Sequence, residues 1–368
     1  MTQRSASVDV VPSSSRWEHG SEYHWLDPDN GALRLTVAWE RDARYYASGR
    51  DAFRALLERG MKELGWTRLF VPSYMCQHVV KSMARTGIGV VMYEDDPRAP
   101  EAHVADLPVD RRSALLLVNH FGMRSRPSQL PSCCAVVEDH THDPWSTWAL
   151  TSTADFCVAS LRKTLPIPDG GVLWSPREHM LPAPPARTPE SESAATHRLA
   201  AALLKRRYLG GEAVEKSWFR ELAQRGEALT DAARPAAMTR LSRDVWRGYA
   251  TRVWRDARRD GWSLLRHGLG TLDGAEAIEP PDTPDIVPYA LVVLLDEAAH
   301  RERLKRYLVE HRIYPAILWP IAAAPELPEV PASALDISRR ILVLHCDGRY
   351  DHEDLERVAR VVREGLSV

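Results

Sequence analysis

The sequence predicts an α/β protein with a mainly parallel central sheet flanked by helices and a smaller C-terminal α+β domain. Between residues 66 and 174, short apolar runs alternate with helical stretches, which is the layer pattern of an α/β fold. The runs are mostly continuous in hydrophobicity, as is typical of strands buried on both faces. The predicted strands are residues 68–71, 90–93, 114–118, 135–138, 156–160 and 171–174.

A helix with a clear start precedes this sheet. Ser48 and Asp51 form an S-x-x-D capping pattern, and apolar residues recur at helical spacing as far as Leu64. After the sheet, a break rich in Pro and Glu at 182–192 leads into a helical region, 196–259.

A second proline-rich break, 279–288, precedes the C-terminal tail. The tail predicts three strands and two helices: strands 289–295, 312–318 and 340–344, and helices 297–309 and 352–366. We therefore expect an N-terminal arm at 1–25, a large domain at 26–259 that includes the helical region, and a small domain at 260–368.

Composition narrows the function classes. The 368 residues carry a formal charge of −2, which argues against a basic nucleic-acid-binding protein. No apolar run approaches the roughly 18 residues of a membrane helix. The five cysteines are odd in number and lack CxxC spacing, which indicates reduced thiols and a cytoplasmic location. We expect neither nucleic acid nor membrane as a partner.

One lysine and one aspartate follow predicted strands. Lys163 lies just after strand 156–160 and precedes a Gly170-Gly171 pair, and Asp139 follows strand 135–138. Ligands of open α/β sheets bind at such strand ends. Pyridoxal phosphate (PLP) requires a lysine for its Schiff base and a carboxylate for its pyridinium nitrogen, so this pair predicts a PLP site.

Lys163 is also favoured by elimination, because the chain has only six lysines. The other five lie on predicted helices or in the C-terminal part: Lys62, Lys81, Lys205, Lys216 and Lys305. The turn at Ser48, Gly49 and Arg50 opens a helix, where backbone N–H groups and the helix dipole can bind the cofactor's phosphate.

With these motifs in their order, the chain resembles the DegT/DnrJ/EryC1/StrS family of fold-type I, PLP-dependent aminotransferases. The resemblance runs from about residue 20 to the C-terminus. It is carried by Ala47 to Ala52, Val71 to Tyr74, His120 to Gly122, Glu138-Asp139, Lys163 with Gly170-Gly171, and Leu342 to Asp347.

The resemblance implies a role for each matching residue. Lys163 would form the internal aldimine and then move the substrate's proton, and Asp139 would pair with the pyridine nitrogen. His142 would lie near the cofactor's phenolic oxygen. The phosphate would be held by Ser48, Gly49, Arg50 and Ser160, the last in place of the family's usual serine, whose position is Val158.

Some positions depart from the family pattern. The ring-stacking aromatic falls at Cys76, with Tyr74 two residues away, and 234–238 lacks the Asn with which sugar-acting members reach the partner subunit's cofactor. Arg349 has two interpretations, a ligand for a substrate carboxylate or a surface turn residue.

The resemblance implies an aminotransferase that acts on a small-molecule amino donor and acceptor, in natural-product or other specialised biosynthesis, as a homodimer. Two alternatives stay open: a PLP-dependent lyase, dehydratase, racemase or cyclase, and a catalytically silent PLP-fold partner protein. The acid- and histidine-rich run 139–143 could bind a metal by ligand type, but no distant ligand group completes it, so we expect no metal site.

Overall fold

A computed structural model describes residues 16–20, 22–28, 34–232, 234–283, 285–322 and 326–367. Its strands are β1 (His19–Gly20), β2 (Arg44–Tyr46), β3 (Arg68–Pro72), β4 (Gly89–Tyr93), β5 (Ser113–Val118), β6 (Ala135–Asp139), β7 (Phe156–Ser160), β8 (Gly171–Trp174), β9 (Ala275–Ala277), β10 (Leu291–Leu295), β11 (Ile313–Tyr314) and β12 (Ile341–Leu344).

The helices are α1 (Gly49–Glu63), α2 (Gln77–Ala84), α3 (Thr147–Leu150), α4 (Pro189–Leu209), α5 (Lys216–Ala232), α6 (Arg240–Gly248), α7 (Thr251–Leu269), α8 (Ala298–Glu310), α9 (Ala332–Arg340) and α10 (His352–Leu366). Short 3-10 turns occur at Ala38–Glu40, His120–Gly122 and Leu161–Lys163. Among the described helices, none is both long enough and apolar enough to cross a bilayer.

The large sheet has seven strands in the order β2-β8-β7-β6-β5-β3-β4. The strands from β7 to β4 run parallel, and β8 is antiparallel to both of its neighbours. Asp139, the last residue of β6, lies opposite Val118 of β5 and Val158 of β7. The mainly parallel sheet is confirmed, with antiparallel strands at one edge.

Apolar side chains cover both faces of this sheet, which explains the continuous hydrophobic runs. On one face, Leu116 and Val158 pack with Phe53 and Leu56 of α1. The other face packs against a second set of buried residues, which includes Phe70, Leu115, Leu117, Cys157, Trp174 and Trp246.

A smaller antiparallel sheet, β12-β10-β9, forms the C-terminal unit, and β1 pairs with β11 beside it. Leu265 of α7, Leu304 of α8 and Leu355 of α10 pack together against this sheet. The other side of the sheet packs with α9 and also with Phe121, which belongs to the large unit. The small unit therefore contacts the end of the large sheet.

Two element predictions are wrong in their bounds. In the predicted strand 312–318, only Ile313–Tyr314 is a strand, because Pro315 has no N–H to continue the pairing. The predicted break 182–192 overlaps α4, which begins at Pro189 behind a Thr188 cap. Proline is accommodated at the first helical position, where its missing N–H would have no helical partner.

The predicted domain boundary at 259/260 falls inside α7. Trp254 belongs to the core of the large unit, whereas Leu265 and Leu269 belong to that of the small unit, so this helix contributes to both. The division into domains stays a prediction. Of the predicted arm, 1–25, residues 1–15 and 21 lie outside the described residues.

A buried histidine of the arm predicts acid sensitivity. His19 is fully buried, and its Nε2 lies 2.8 Å from the His345 carbonyl oxygen. Burial, followed by the neighbouring His345 ring, lowers the pKa of His19 to about 3. Because a free histidine titrates near 6.5, the unfolded chain takes up the proton first, and stability is lost as the pH falls below about 6.5.

We expect His19 to lower the free energy of unfolding by about 2 kcal/mol between pH 7 and pH 5. Denaturant titrations at both pH values measure this loss, and His19→Asn should reduce it. The exposed His311 provides a matched control, His311→Asn, which should leave the loss unchanged. Equal losses in both variants would exclude His19 as the cause.

Candidate active site

A cavity of about 270 Å³ lies at the carboxyl ends of the parallel strands. We call it the sheet-end cavity. Val118, Asp139 and Ser160, the last residues of β5, β6 and β7, line it. Eight of the residues singled out in the sequence meet there: Ser48, Gly49, Arg50, Cys76, Asp139, His142, Ser160 and Lys163.

Asp139 places a buried carboxyl group on the cavity wall. Its Oδ1 accepts a hydrogen bond from the Thr141 backbone N–H at 2.8 Å. Burial raises the pKa of Asp139, and hydrogen bonding from Thr141 opposes that shift. The Oγ1 of Thr141 in turn accepts from the Ser160 N–H at 3.0 Å, which links the ends of β6 and β7. A buried carboxylate of this kind is stabilised by a cationic partner.

Lys163 ends the 3-10 turn that directly follows β7. It lines the sheet-end cavity and keeps an accessible surface there. The adjacent charge of Arg162, followed by partial desolvation of the amine inside the cavity, lowers the pKa of Lys163. More of the amine is therefore in its neutral, nucleophilic form near neutral pH.

Packing explains the glycine at position 171, the second residue of the Gly170-Gly171 pair. β8 passes so close to the start of α1 that a Cβ on Gly171 would lie 2.2 Å from the carbonyl carbon and oxygen of Ser48. A Cβ on Gly49 would lie 3.1 Å from the Ser160 Cβ. The start of α1 therefore fits against β8 only because glycine occupies position 171, and Gly49 makes a tight contact with β7.

The N-terminus of α1 faces the same cavity. Ser48 caps the helix, since its Oγ accepts from the Asp51 N–H at 3.2 Å. Ser48, Gly49 and Arg50 all line the cavity. The free N–H groups and the positive end of the helix dipole favour an anion at this point.

His142 is a buried, neutral ring on another wall. Its Nδ1 accepts from the Phe121 N–H at 2.9 Å, which assigns the ring proton to Nε2. Burial, followed by the charge of His120, lowers the pKa of His142 to about 3. The ring stacks on Trp319 with the centroids 5.6 Å apart and an interplanar angle of 19°.

The two candidate stacking positions have different surroundings. Cys76, at the N-terminus of α2, lines the cavity. Tyr74 is fully buried outside the lining, where its hydroxyl donates to the Leu318 carbonyl and its ring lies 5.8 Å from that of Trp319. Tyr74 therefore supports Trp319, which lines the cavity together with Phe53 and Tyr289.

The interpretation of Arg349 as a surface turn residue is wrong, and its role as a ligand for a substrate carboxylate stays a prediction. Arg349 is buried and lies outside the lining of the sheet-end cavity. Its Nε and Nη2 donate to Oδ1 and Oδ2 of Asp347 at 2.7 and 2.8 Å, and its guanidinium lies over the Tyr23 ring. The pair joins the N-terminal segment to the small unit.

With this geometry established, comparisons with solved structures identify the fold. S. venezuelae DesV, solved with a ketimine intermediate, has a TM-score of 0.55 and 18% identity over 89% of this chain and 85% of its own. A sugar aminotransferase from Micromonospora echinospora has a TM-score of 0.58 and 13% identity over 88% and 87% of the two chains. No protein-family model and no curated protein matches the sequence.

A Streptococcus pneumoniae protein solved in its PLP form has a TM-score of 0.62 and 12% identity over 96% of this chain and 93% of its own. The chain has the fold-type I architecture of these enzymes. At such low identity, the likeness shows the fold, and the function rests on the site itself.

The sequence interpretation missed one group of residues in this fold. Glu227 of α5 lines the sheet-end cavity and accepts hydrogen bonds from three arginines. The distances are 2.8 Å from Arg50 Nη2, 3.0 Å from Arg162 Nη2 and 2.9 Å from Arg198 Nη2. Nothing in the local sequence marks Glu227, since its partners come from three distant segments.

A second polar cluster lies within the large unit. His140 Nε2 is 2.9 Å from Oε2 of Glu138, and Ser152 donates to the same oxygen at 2.6 Å. Cys157 Sγ is 3.6 Å from this oxygen. Glu138, His140 and Cys157 could ligate a metal by residue type, and in this structure they form a buried hydrogen-bonded network.

Gly171→Ala tests the close approach of β8 to α1. The new Cβ would clash with main-chain atoms, which cannot move aside as a flexible side chain can. We expect a loss of about 3 kcal/mol in the free energy of unfolding, measured by denaturant titration. Gly210→Ala is the control, because a Cβ there meets nothing closer than 3.4 Å. Equal stability of the two variants would contradict the packing argument.

Proposed function

We propose that this chain is a PLP-dependent aminotransferase that transfers an amino group to a keto or aldehyde group of a small metabolite. The observation that carries the proposal is the meeting of Lys163, Asp139 and the N-terminus of α1 in one cavity. The likeness to solved structures that include aminotransferases supports it. A role in specialised biosynthesis stays a prediction from the family resemblance.

The residues present fit the cofactor. The start of α1 offers an anion site for its phosphate, with Ser48, Gly49, Arg50 and Ser160 around it. Asp139 offers the carboxylate that a protonated pyridine nitrogen needs. When bound, PLP supplies an aldehyde for the lysine amine and an electron-withdrawing ring.

The chain's own groups would then act in turn. Lys163, with its lowered pKa, would hold the cofactor, and its Nζ, once released, would take the proton from the substrate's α-carbon. Asp139 would hold the proton on the ring nitrogen. His142, whose Nδ1 accepts from the Phe121 N–H, would offer its Nε2 proton to the cofactor's phenolic oxygen.

The amino donor and acceptor are proposed to be small molecules. A homodimer and a cytoplasmic location stay predictions from the family resemblance. The five cysteines are free thiols, which supports a reducing compartment.

The cofactor assignment predicts a visible absorbance band that depends on Lys163. Purified holoenzyme should show this band, and borohydride reduction should attach the cofactor mass to the peptide containing Lys163. Lys163→Ala should abolish both signals, whereas Lys62→Ala, at an exposed position on α1, should retain them. A band of unchanged intensity in Lys163→Ala would exclude the Schiff-base role.

The transamination assignment predicts a donor half-reaction. Holoenzyme mixed in turn with glutamate, glutamine and the other common amino acids should yield pyridoxamine phosphate with at least one of them, detected by mass spectrometry. If none yields it while substrate is consumed, the alternative of a lyase, dehydratase, racemase or cyclase replaces transamination. If holoenzyme consumes no substrate, the silent partner protein is favoured.

Asp139→Asn should slow the donor half-reaction by about 10²–10³-fold while retaining bound cofactor, because the ring loses its charged partner. Stopped-flow absorbance measures the rate. Asp106→Asn, at an exposed position, is the control and should leave the rate unchanged. A rate in Asp139→Asn equal to that of the control would remove Asp139 from the mechanism.

A further inference from the structure

A second cavity, of about 340 Å³, adjoins the sheet-end cavity. We call it the α4–α5 cavity, because these two helices form much of its wall. Arg162 and Glu227 line both cavities, so this ion pair lies where they meet. The hydroxyl of Tyr23, which also lines the α4–α5 cavity, lies 3.5 Å from the Lys163 carbonyl oxygen.

The junction between the cavities carries an excess of positive charge. Arg50, Arg162 and Arg198 all donate to the carboxylate of Glu227, and Arg50 also pairs with Asp231. Three guanidinium groups thus share two carboxylates. Burial alone would raise the pKa of Glu227, but the charges of Arg162, Arg198 and Arg50 hold it well below its usual range. Glu227 itself is 43% exposed, whereas the side chains of Arg162 and Arg198 are each only 11% exposed. The carboxylate is therefore the more solvent-accessible partner.

Arg162 has a further unused donor, since its Nε is buried without a hydrogen-bond partner among the described residues. Guanidinium groups bind carboxylates and phosphates through paired N–H donors. Lys205 also lines the α4–α5 cavity, but its ammonium group donates to the carbonyls of Glu22 and Gly20. It therefore holds the N-terminal segment in place, and the arginines are left as the anion-binding groups.

Apart from Glu22, Lys205, Arg220 and Gln224, the rest of the α4–α5 cavity is lined by apolar and aromatic residues. Trp25, Ile167 and Phe219 contribute ring and aliphatic surface to its wall. Phe219 is anchored in a small core with Ala201 and Val214, so this wall is fixed. A charged junction beside an apolar chamber favours a ligand with one anionic end and an apolar body.

We propose that the α4–α5 cavity binds an anionic small molecule with an apolar body, whose acidic group replaces Glu227 on Arg162 and Arg198. The apolar body lies beside Trp25 and Phe219, and the acidic group lies at the junction that leads to Lys163. The identification of this ligand as the substrate rests on the proposed function, whereas the binding site itself does not.

Trp25 provides a local reporter, because it is the single tryptophan in the lining. Holoenzyme is titrated with 3-phenylpropanoate, 2-phenylethyl phosphate and the neutral 3-phenylpropanol, and tryptophan fluorescence is recorded. We expect one of the two anions to bind at least tenfold more tightly than the alcohol. The tighter anion distinguishes a carboxylate from a phosphate ligand. Trp25→Phe should remove the signal.

Arg198→Met should weaken anion binding at least tenfold and change alcohol binding less than twofold. Arg198 lies outside the lining of the sheet-end cavity, so the visible band should remain. Arg207→Met, on the same helix but at a position that does not line the cavity and pairs with Glu212, is the matched control and should change neither. If Arg198→Met does not fold, Arg198→Lys replaces it in the test. Lysine keeps the positive charge but lacks the paired N–H donors of the guanidinium group, so we expect an affinity between that of the unmodified protein and the tenfold loss.

Three results would overturn the proposal. They are no change in tryptophan fluorescence with any probe, equal affinities for the alcohol and the anions, or an equal loss of alcohol affinity and anion affinity in Arg198→Met. The two proposals fail separately. A missing Lys163-dependent band with intact anion binding would contradict only the proposed function. A normal band and donor half-reaction without anion selectivity would contradict only this inference.

Discussion

Gly171 has no space for a side chain, because a Cβ there would lie 2.2 Å from the Ser48 carbonyl. The sheet-end cavity depends on this contact. It presses the start of α1 against β8 and, through Gly49 and Ser160, against β7. Lys163 ends the short turn that follows β7, so the contact fixes the lysine relative to the N-terminus of α1. A chemical site is thus positioned by main-chain packing.

The second constraint is electrostatic. Arg162, next to Lys163, lowers the lysine's pKa, and Glu227 in turn neutralises part of the arginine's charge. A ligand that displaced Glu227 would keep this balance, since another anion would take its place on the same guanidinium group. Lysine reactivity and anion binding are therefore coupled through one residue.

The helical hairpin of α4 and α5 forms the proposed anion-binding site. In the sequence it is a region rich in Arg and Ala without a motif, and it supplies both Arg198 and Glu227. Its position beside the sheet closes one side of the sheet-end cavity and forms the α4–α5 cavity. The common core of the fold thus supplies the reactive groups, and this hairpin supplies a surface for selecting the ligand.

The sequence by itself determined six of the seven strands of the large sheet, all but β2, and the strand-end positions of Lys163 and Asp139. It could do so because buried strands are continuous apolar runs. It also located the start of α1 through its cap. Tertiary structure decided the features that local patterns cannot contain. These are the surroundings of Tyr74 and Arg349, the presence of Trp319 and Tyr289 in the lining of the sheet-end cavity, and the Glu227 cluster. These contacts join residues that are far apart in the chain, and only the packed fold brings them within hydrogen-bonding or stacking distance.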